Sequence, residues 1–340
     1  MKILMVGSNH VWSLEKIYYK YLRELSADVE LFPAQNYFYE YYNQSLINKI
    51  IYRAGLSGII DKVNKKLQKH VEHFKPDVVW VFKGMELLPA TLQWLKDQHI
   101  FLVNYNPDNP FIFSGQGSGN ANIGKSIALY DLHFTYNLEV KNRLEKEGHN
   151  VFFLPFGFDL SERLYEECCK EKEIIKPCFI GNPDRGRADF INKLAGKGIA
   201  IDVYGNQWDK FLRHPKINLF PTVLGDDFWK VLRRYRVQIN LMRVHNLNSH
   251  NMRSFEIPSV GGIMLAPDTD EHRLFFNDKK EVFLFSDLEQ CANLINQILC
   301  SEGAIVDSMR QEARQRCLIS KYSYADRAVL VLQQLNGALN

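Results

Sequence analysis

Apolar runs of four to six residues recur along this chain and alternate with segments of helical spacing. Few folds accept that pattern. A strand followed by a helix and another strand pairs in parallel with its predecessor, and the helices then cover both faces of the sheet. The first series of runs lies at 2–7, 29–32, 77–82, 100–105, 132–136 and 151–155. Helices are predicted between them at 12–25, 87–97 and 138–148, and over 45–74 with a break near Gly55 and Gly58. A second series follows at 178–181, 201–205, 217–220, 237–241, 262–266 and 282–285, with helices at 288–300 and 322–339. The reading is an α/β protein of two doubly wound, Rossmann-like domains, 1–160 and 177–320. The charged, weakly patterned stretch 158–176 is the expected link, and 321–340 is a terminal helix expected to return to the first domain.

The totals agree with two domains. A chain of 340 residues exceeds what one core needs, and 46% hydrophobic with 24% charged residues is ordinary for a soluble protein. A net charge of +3 argues against a dedicated nucleic-acid binder. The cysteines at 168, 169, 178, 291, 300 and 317 form no C-x-x-C pair, so reduced thiols in the cytoplasm are expected. The opening MKILMVG is too short for a signal-peptide core, and no apolar run is long enough to span a membrane. The protein reads as cytoplasmic, at most attached to the inner face of a membrane.

Three stretches carry chemistry. In 251–267, NMRSFEIPSVGGIMLAP, Arg253 and Glu256 are three apart and share one helix face. Gly261 and Gly262 stop that helix, and 263–266 reads as a buried strand. On spacing alone such a pair is a solvated surface pair; at the mouth of a sheet it stands where ligands bind. A second stretch, GNANIGKS at 119–126, fits the P-loop expression but follows a loop instead of a strand, and no G-x-G-x-x-G is present. It supplies the alternative of an NTP-dependent kinase or ATPase with Lys125 on the phosphates. The third is the aromatic run 37–42 with the basic segment 45–74, which carries Lys49, Arg53, Lys62, Lys65, Lys66 and Lys69. It reads either as a solvated face with aromatics packed beneath, or as a surface for an anionic or lipid-linked acceptor with peripheral membrane contact.

The order of several motifs resembles a known group. They are KPDVVWVFKG at 75–84, NYNPDNP at 104–110, SIALYDLHFT at 126–135, LPFGFD at 154–159 and FIGNPDRGR at 179–187. RSFE at 253–256 with Gly261 and Gly262, and KYSYADR at 321–327, complete the series. Together they resemble the GT-B glycosyltransferases of the CgeB-like (spore-maturation-type), "glycosyl transferases group 1" kind. That resemblance implies two domains facing a central cleft. It implies transfer of a sugar from a UDP- or GDP-linked donor, held by the C-terminal domain, to a glycan, glycolipid or protein acceptor in surface polysaccharide or glycoconjugate assembly. It implies no metal and no other cofactor.

The resemblance also suggests roles. Glu256 takes the ribose hydroxyls, since a carboxylate accepts both. Arg185, Arg187 and Arg253 meet the diphosphate beside the Gly181 turn, with help from backbone N–H groups near Gly186. Asp108 is the expected base for the acceptor hydroxyl and His10 the alternative; Lys83 and Asn104 face the acceptor. More local readings stand beside these. Asp108 between prolines suits an Asx turn, and His10 suits a helix cap. The sequence departs from the broad retaining pattern at the position eight before Glu256, where Asn248 stands for a glutamate. An amide bonds a sugar hydroxyl but brings no charge, so the stereochemistry stays open. Asn246, Asn248 and Asn251, with His245 and His250, make this loop polar without a metal-site spacing. A non-catalytic nucleotide-sugar or glycan-binding module on the same fold is the remaining alternative.

Overall fold

The computed structural model describes residues 1–113, 119–243, 246 and 248–339. They form two compact units, one of Met1–Pro155 with the C-terminal helix and one of Phe156–Ser323.

The first unit runs β1 (Lys2–Val6), α1 (Leu14–Glu24), β2 (Asp28–Phe32), α2 (Ala34–Gln44), α3 (Leu46–Arg53), α4 (Ile59–Phe74), β3 (Val78–Phe82), α5 (Pro89–Asp97), β4 (Phe101–Tyr105), α6 (Ala121–Ser126), β5 (Leu132–Thr135), α7 (Leu138–Lys146) and β6 (Val151–Phe153). The strands lie in the order β2, β1, β3, β4, β5, β6 and pair in parallel. Every residue of β3 is buried, as a strand covered on both faces requires. Leu14, Tyr18 and Leu22 are the inward row of α1, and the Ser13 hydroxyl caps its start by accepting the Lys16 N–H. In α4 the row Val63, Leu67, Val71 and Phe74 faces the sheet.

The second unit continues with α8 (Glu162–Cys169), β7 (Ile174–Ile180), α9 (Arg185–Gly196), β8 (Ile201–Tyr204), β9 (Ile217–Phe220), α10 (Gly225–Arg234), β10 (Tyr235–Ile239), α11 (Arg253–Ser259), β11 (Met264–Pro267), α12 (Asp270–Phe275), β12 (Phe283–Phe285), α13 (Leu288–Leu299) and α14 (Gly303–Ile319). Its parallel sheet has the order β12, β11, β10, β7, β8, β9. The last helix, α15 (Tyr324–Leu339), packs on α1 in the first unit, with the Tyr324 and Tyr18 rings 5.5 Å apart.

Both sheets are α/β and doubly wound. The stretch 158–176 is not a free link. It carries α8 and the start of β7, with Leu164 and Cys168 buried, Glu162 paired to Arg314, and Glu173 paired to Arg236 and Arg310. Its charges serve ion pairs within the second unit, which is why its composition looks like a linker. Strand order reverses between β1 and β3 in one sheet and between β7 and β10 in the other. Loops at the carboxyl ends of such neighbours diverge and leave a crevice, where doubly wound proteins bind ligands.

Candidate functional site

In the second unit the crevice lies beside Gly181, which follows β7, and Leu241, which follows β10. The Gly181 carbonyl accepts the indole N–H of Trp208 at 2.8 Å, and this fixes the turn. Asp184 caps α9 by accepting the Arg187 N–H at 3.0 Å, so one helix-start N–H near Gly186 is already taken. The Arg187 side chain passes beside the Phe179 ring. It then binds the Leu241 carbonyl, from Nε at 3.2 Å and from Nη2 at 2.8 Å, and the Asn182 carbonyl from Nη1. Burial pulls its pKa down to about 10; the neighbouring Arg243 and Arg253 push the same way, against Asp184. Arg187 at this switch point thus feels the charges of two further guanidinium groups. Arg185, at the start of α9, is exposed.

Arg253 and Glu256 do meet, in an ion pair along one turn of α11. Glu256 is buried, and the Arg253 guanidinium lies 4.3 Å from the centre of the Phe228 ring. Arg253 Nε is buried and has no hydrogen-bond partner. A polar network beneath holds the helix start. Ser254 Oγ lies 2.8 Å from His272 Nε2 and 3.1 Å from Asn240 Nδ2. His272 Nδ1 donates to the Pro267 carbonyl at 2.8 Å, so Nε2 accepts the Ser254 hydroxyl. Burial lowers the pKa of this imidazole to about 4. Nearby, Glu271 Oε2 accepts from Ser249 Oγ, the His250 N–H and His250 Nδ1.

The other expected donor contacts are placed as follows. Asn251 has both ends of its amide engaged within the protein: Oδ1 accepts the Ser254 N–H and Nδ2 binds Asn240 Oδ1. Asn248 is exposed, and His245 lies outside the described residues. Gly261 has φ +68°, and a Cβ on Gly262 would stand 2.9 Å from the Ile257 side chain and carbonyl. Both glycines therefore shape the turn from α11 into β11.

In the first unit Lys83 follows β3 with φ +62°, and its Nζ lies 2.6 Å from Asp108 Oδ2, beyond β4. The two residues expected on the acceptor side thus form a pair. The Asx turn here is made by Asn106, whose Oδ1 accepts the Asp108 N–H. Asn104 is buried, with Nδ2 on the Val81 carbonyl. His10 is exposed in the loop after β1, and Ser13, not His10, caps α1. Two carboxyls absent from the sequence reading border the same switch point. Glu15 accepts the Ser8 N–H at 2.8 Å, and burial raises its pKa. Burial raises Glu86 to about 7; Lys83 opposes this and Glu15 adds to it. Arg243, His272 and Glu271 were also missed. For Arg243, a cation just past a buried strand was the available signal.

The P-loop alternative is overturned by the backbone. Residues 121–126 are the helix α6, capped by Asn120, so Lys125 lies in its last turn instead of after a phosphate-binding loop. Among the described residues no group of three His, Cys, Asp or Glu side chains is placed to hold a metal ion, and no helix is long and apolar enough to cross a membrane.

Residues 185–333 match the family described as glycosyl transferase-like. Comparison with curated proteins gives no match. Among solved structures, sucrose-phosphate synthase from Thermosynechococcus elongatus superposes with a TM-score of 0.71 at 9% identity, over 100% of this chain and 99% of that one. A UDP-forming trehalose-phosphate synthase from Burkholderia xenovorans gives 0.67 at 13%, over 100% of both chains. UDP-GlcNAc 2-epimerase from Neisseria meningitidis, bound to UDP-GlcNAc, gives 0.57 at 14%, over 99% of this chain and 100% of that one. Identities this low speak for the fold alone. The chain therefore has the GT-B fold, and its segment 185–333 matches a family described as glycosyl transferase-like.

Proposed function

We propose that this protein is a glycosyltransferase that moves a sugar from a nucleoside-diphosphate-sugar, UDP-linked foremost, to a hydroxyl acceptor. The observation that carries the reading is Arg187, clamped on the Leu241 carbonyl at the β7–β10 switch point with the charges of Arg243 and Arg253 bearing on it, inside the segment that matches the family. A half-buried cation with further positive charges bearing on it is relieved by a polyanion, and guanidinium forks suit phosphate oxygens. UDP is favoured over GDP because two fold relatives are described as UDP-forming or bound to UDP-GlcNAc.

In this reading Glu256 accepts the ribose hydroxyls, and Arg253 holds its carboxylate in place through their ion pair. The bond from the sugar anomeric carbon to the phosphate oxygen breaks as the bond to the acceptor oxygen forms. The leaving diphosphate takes the electron pair and is neutralised by the arginines without metal. The acceptor proton passes to Asp108, steered by Lys83; His10 and Glu86 are the alternatives at that end of the first sheet. The acceptor is a glycan, glycolipid or protein in surface glycoconjugate assembly, and the motif order supports the CgeB-like branch. The six free cysteines suit the cytoplasm.

Because the fold is shared with an epimerase, the test has to read the product. With a UDP-sugar and a chelator present, the expected result is UDP release that depends on added acceptor, together with a higher melting temperature in UDP that is lost in Glu256→Ala. Conversion of the sugar to an epimer without an acceptor would make the chain an epimerase. Stabilisation by UDP without any turnover would favour the non-catalytic module.

A further inference from the structure

The helix α3 is amphipathic in the unexpected sense. Its inward face is polar and aromatic: Asn48 Nδ2 binds the Tyr41 carbonyl at 2.9 Å, and the Tyr52 ring packs on Phe38 and Tyr42 at 4.9 and 5.7 Å. Its outward face carries Leu46, Ile47 and Ile50, and the next turn adds Leu56; these four are 66–79% exposed. Among the described residues only Val11 and Ile319 are large aliphatic residues that are as exposed, so two thirds of such surface falls within eleven residues. Positions 46, 47 and 50 share one helix face by spacing, and Lys49 and Arg53 flank them. In α4 the apolar row points into the core, while Lys62, Lys65, Lys66 and Lys69 are exposed.

Charge decides what covers this face. Segment 45–74 has six Lys and Arg against Asp61 and Glu72, a net +4, whereas the whole chain, with 42 against 39, has only +3. Nor does α3 itself contain an acidic residue. Aliphatic side chains flanked by two cations, on a helix without a carboxylate, suit an interface of acyl chains and anionic headgroups. From this we propose that α3 and its following turn form a docking face for an anionic lipid surface, with Leu46, Ile47, Ile50 and Leu56 inserted and Lys49 and Arg53 at headgroup level. The proposal does not depend on the transferase reading.

The test is co-sedimentation of the full chain with phosphatidylcholine vesicles, with and without phosphatidylglycerol. Binding is expected to the mixed vesicles, and to fall about tenfold or more in Ile47→Ser/Ile50→Ser. In Lys49→Gln/Arg53→Gln the preference for phosphatidylglycerol should fall about thirtyfold, at about fivefold per cation near an anionic surface. Ile47, Ile50 and Arg53 are exposed, so their replacement should leave circular dichroism unchanged; Lys49 lies over the Tyr42 ring, and an unchanged spectrum of its variant shows that the helix survives the loss of that contact. No binding to either vesicle would overturn the proposal, as would binding that both double variants retain. A concentration-dependent dimer in solution, abolished by Ile47→Ser/Ile50→Ser, would assign the face to a second copy instead.

Discussion

Arg187 holds the carbonyl of Leu241 with two hydrogen bonds and so joins the loops that leave β7 and β10. Its guanidinium is therefore partly a structural clamp, and replacing it would disturb the loops as well as any ligand. Arg243 offers the cleaner test, because it is exposed and adds its charge to the same cluster. Arg243→Gln is expected to weaken UDP binding about tenfold, or about 1.4 kcal/mol, with little change in melting temperature. Arg187→Lys, which keeps charge but loses the fork, should lose both affinity and stability. Titration calorimetry with each variant checks the pair, and unchanged affinity in Arg243→Gln would remove it from the site.

The His272 imidazole is held neutral between Ser254 and Pro267, with its pKa near 4 against an ordinary 6.5. A depressed folded-state value means that the unfolded chain binds the proton first. Stability is then full above about pH 6.5 and is lost as pH falls toward 4, at most by about 3 kcal/mol. Hydrogen exchange of amides in the second unit, compared at pH 7 and pH 5, should show faster opening at the lower pH. In His272→Ala protection at pH 7 should be lower, and the pH dependence should flatten. The same variant should weaken nucleotide binding, because Ser254 anchors the helix that carries Arg253 and Glu256.

The strand runs were legible because period and burial are local properties: all twelve expected strands stand within a few residues of their places. The Arg253–Glu256 pair was legible for the same reason, being one turn of one helix. The missed groups depend on long-range register. Glu86 becomes unusual only because Asn64 of α4 binds its carbonyl at 2.9 Å and its carboxyl is buried near Lys83 and Glu15. Nothing in its neighbours along the chain records that. The stretch 158–176 misled for a related reason, since the partners of Glu162 and Glu173 lie 63 to 152 positions away.

Glu86 should behave in the opposite sense to His272. Its folded-state pKa is raised to about 7 by burial, so the folded protein keeps a proton that the unfolded chain releases above about 4.5. The group contributes stability below pH 4.5, and this is lost as pH rises through 7. Glu86→Gln, which stays neutral, should make the first unit more stable than wild type at pH 8, by about 1–3 kcal/mol, and equal to it near pH 4. Denaturant unfolding at both values is the check. If Glu86 rather than Asp108 receives the acceptor proton, Glu86→Gln will also abolish the kcat limb near pH 7, while Asp108→Asn leaves it in place.

The two glycines after α11 separate strain from crowding. Gly261 has φ +68°, yet a Cβ there would meet nothing nearer than 3.4 Å, so Gly261→Ala costs only the left-handed conformation, about 1 kcal/mol. Gly262 has no such φ, but its Cβ would stand 2.9 Å from both Ile257 Cγ2 and the Ile257 carbonyl. Gly262→Ala must therefore push α11 away from β11, at about 1–3 kcal/mol. Because α11 carries Arg253 and Glu256, that shift should also lower UDP affinity, whereas Gly261→Ala should leave it nearly intact. Melting curves with and without UDP read both effects at once. A larger loss of affinity in Gly261→Ala would show that the conformation of the turn, not the seating of the helix, sets the geometry of the pair.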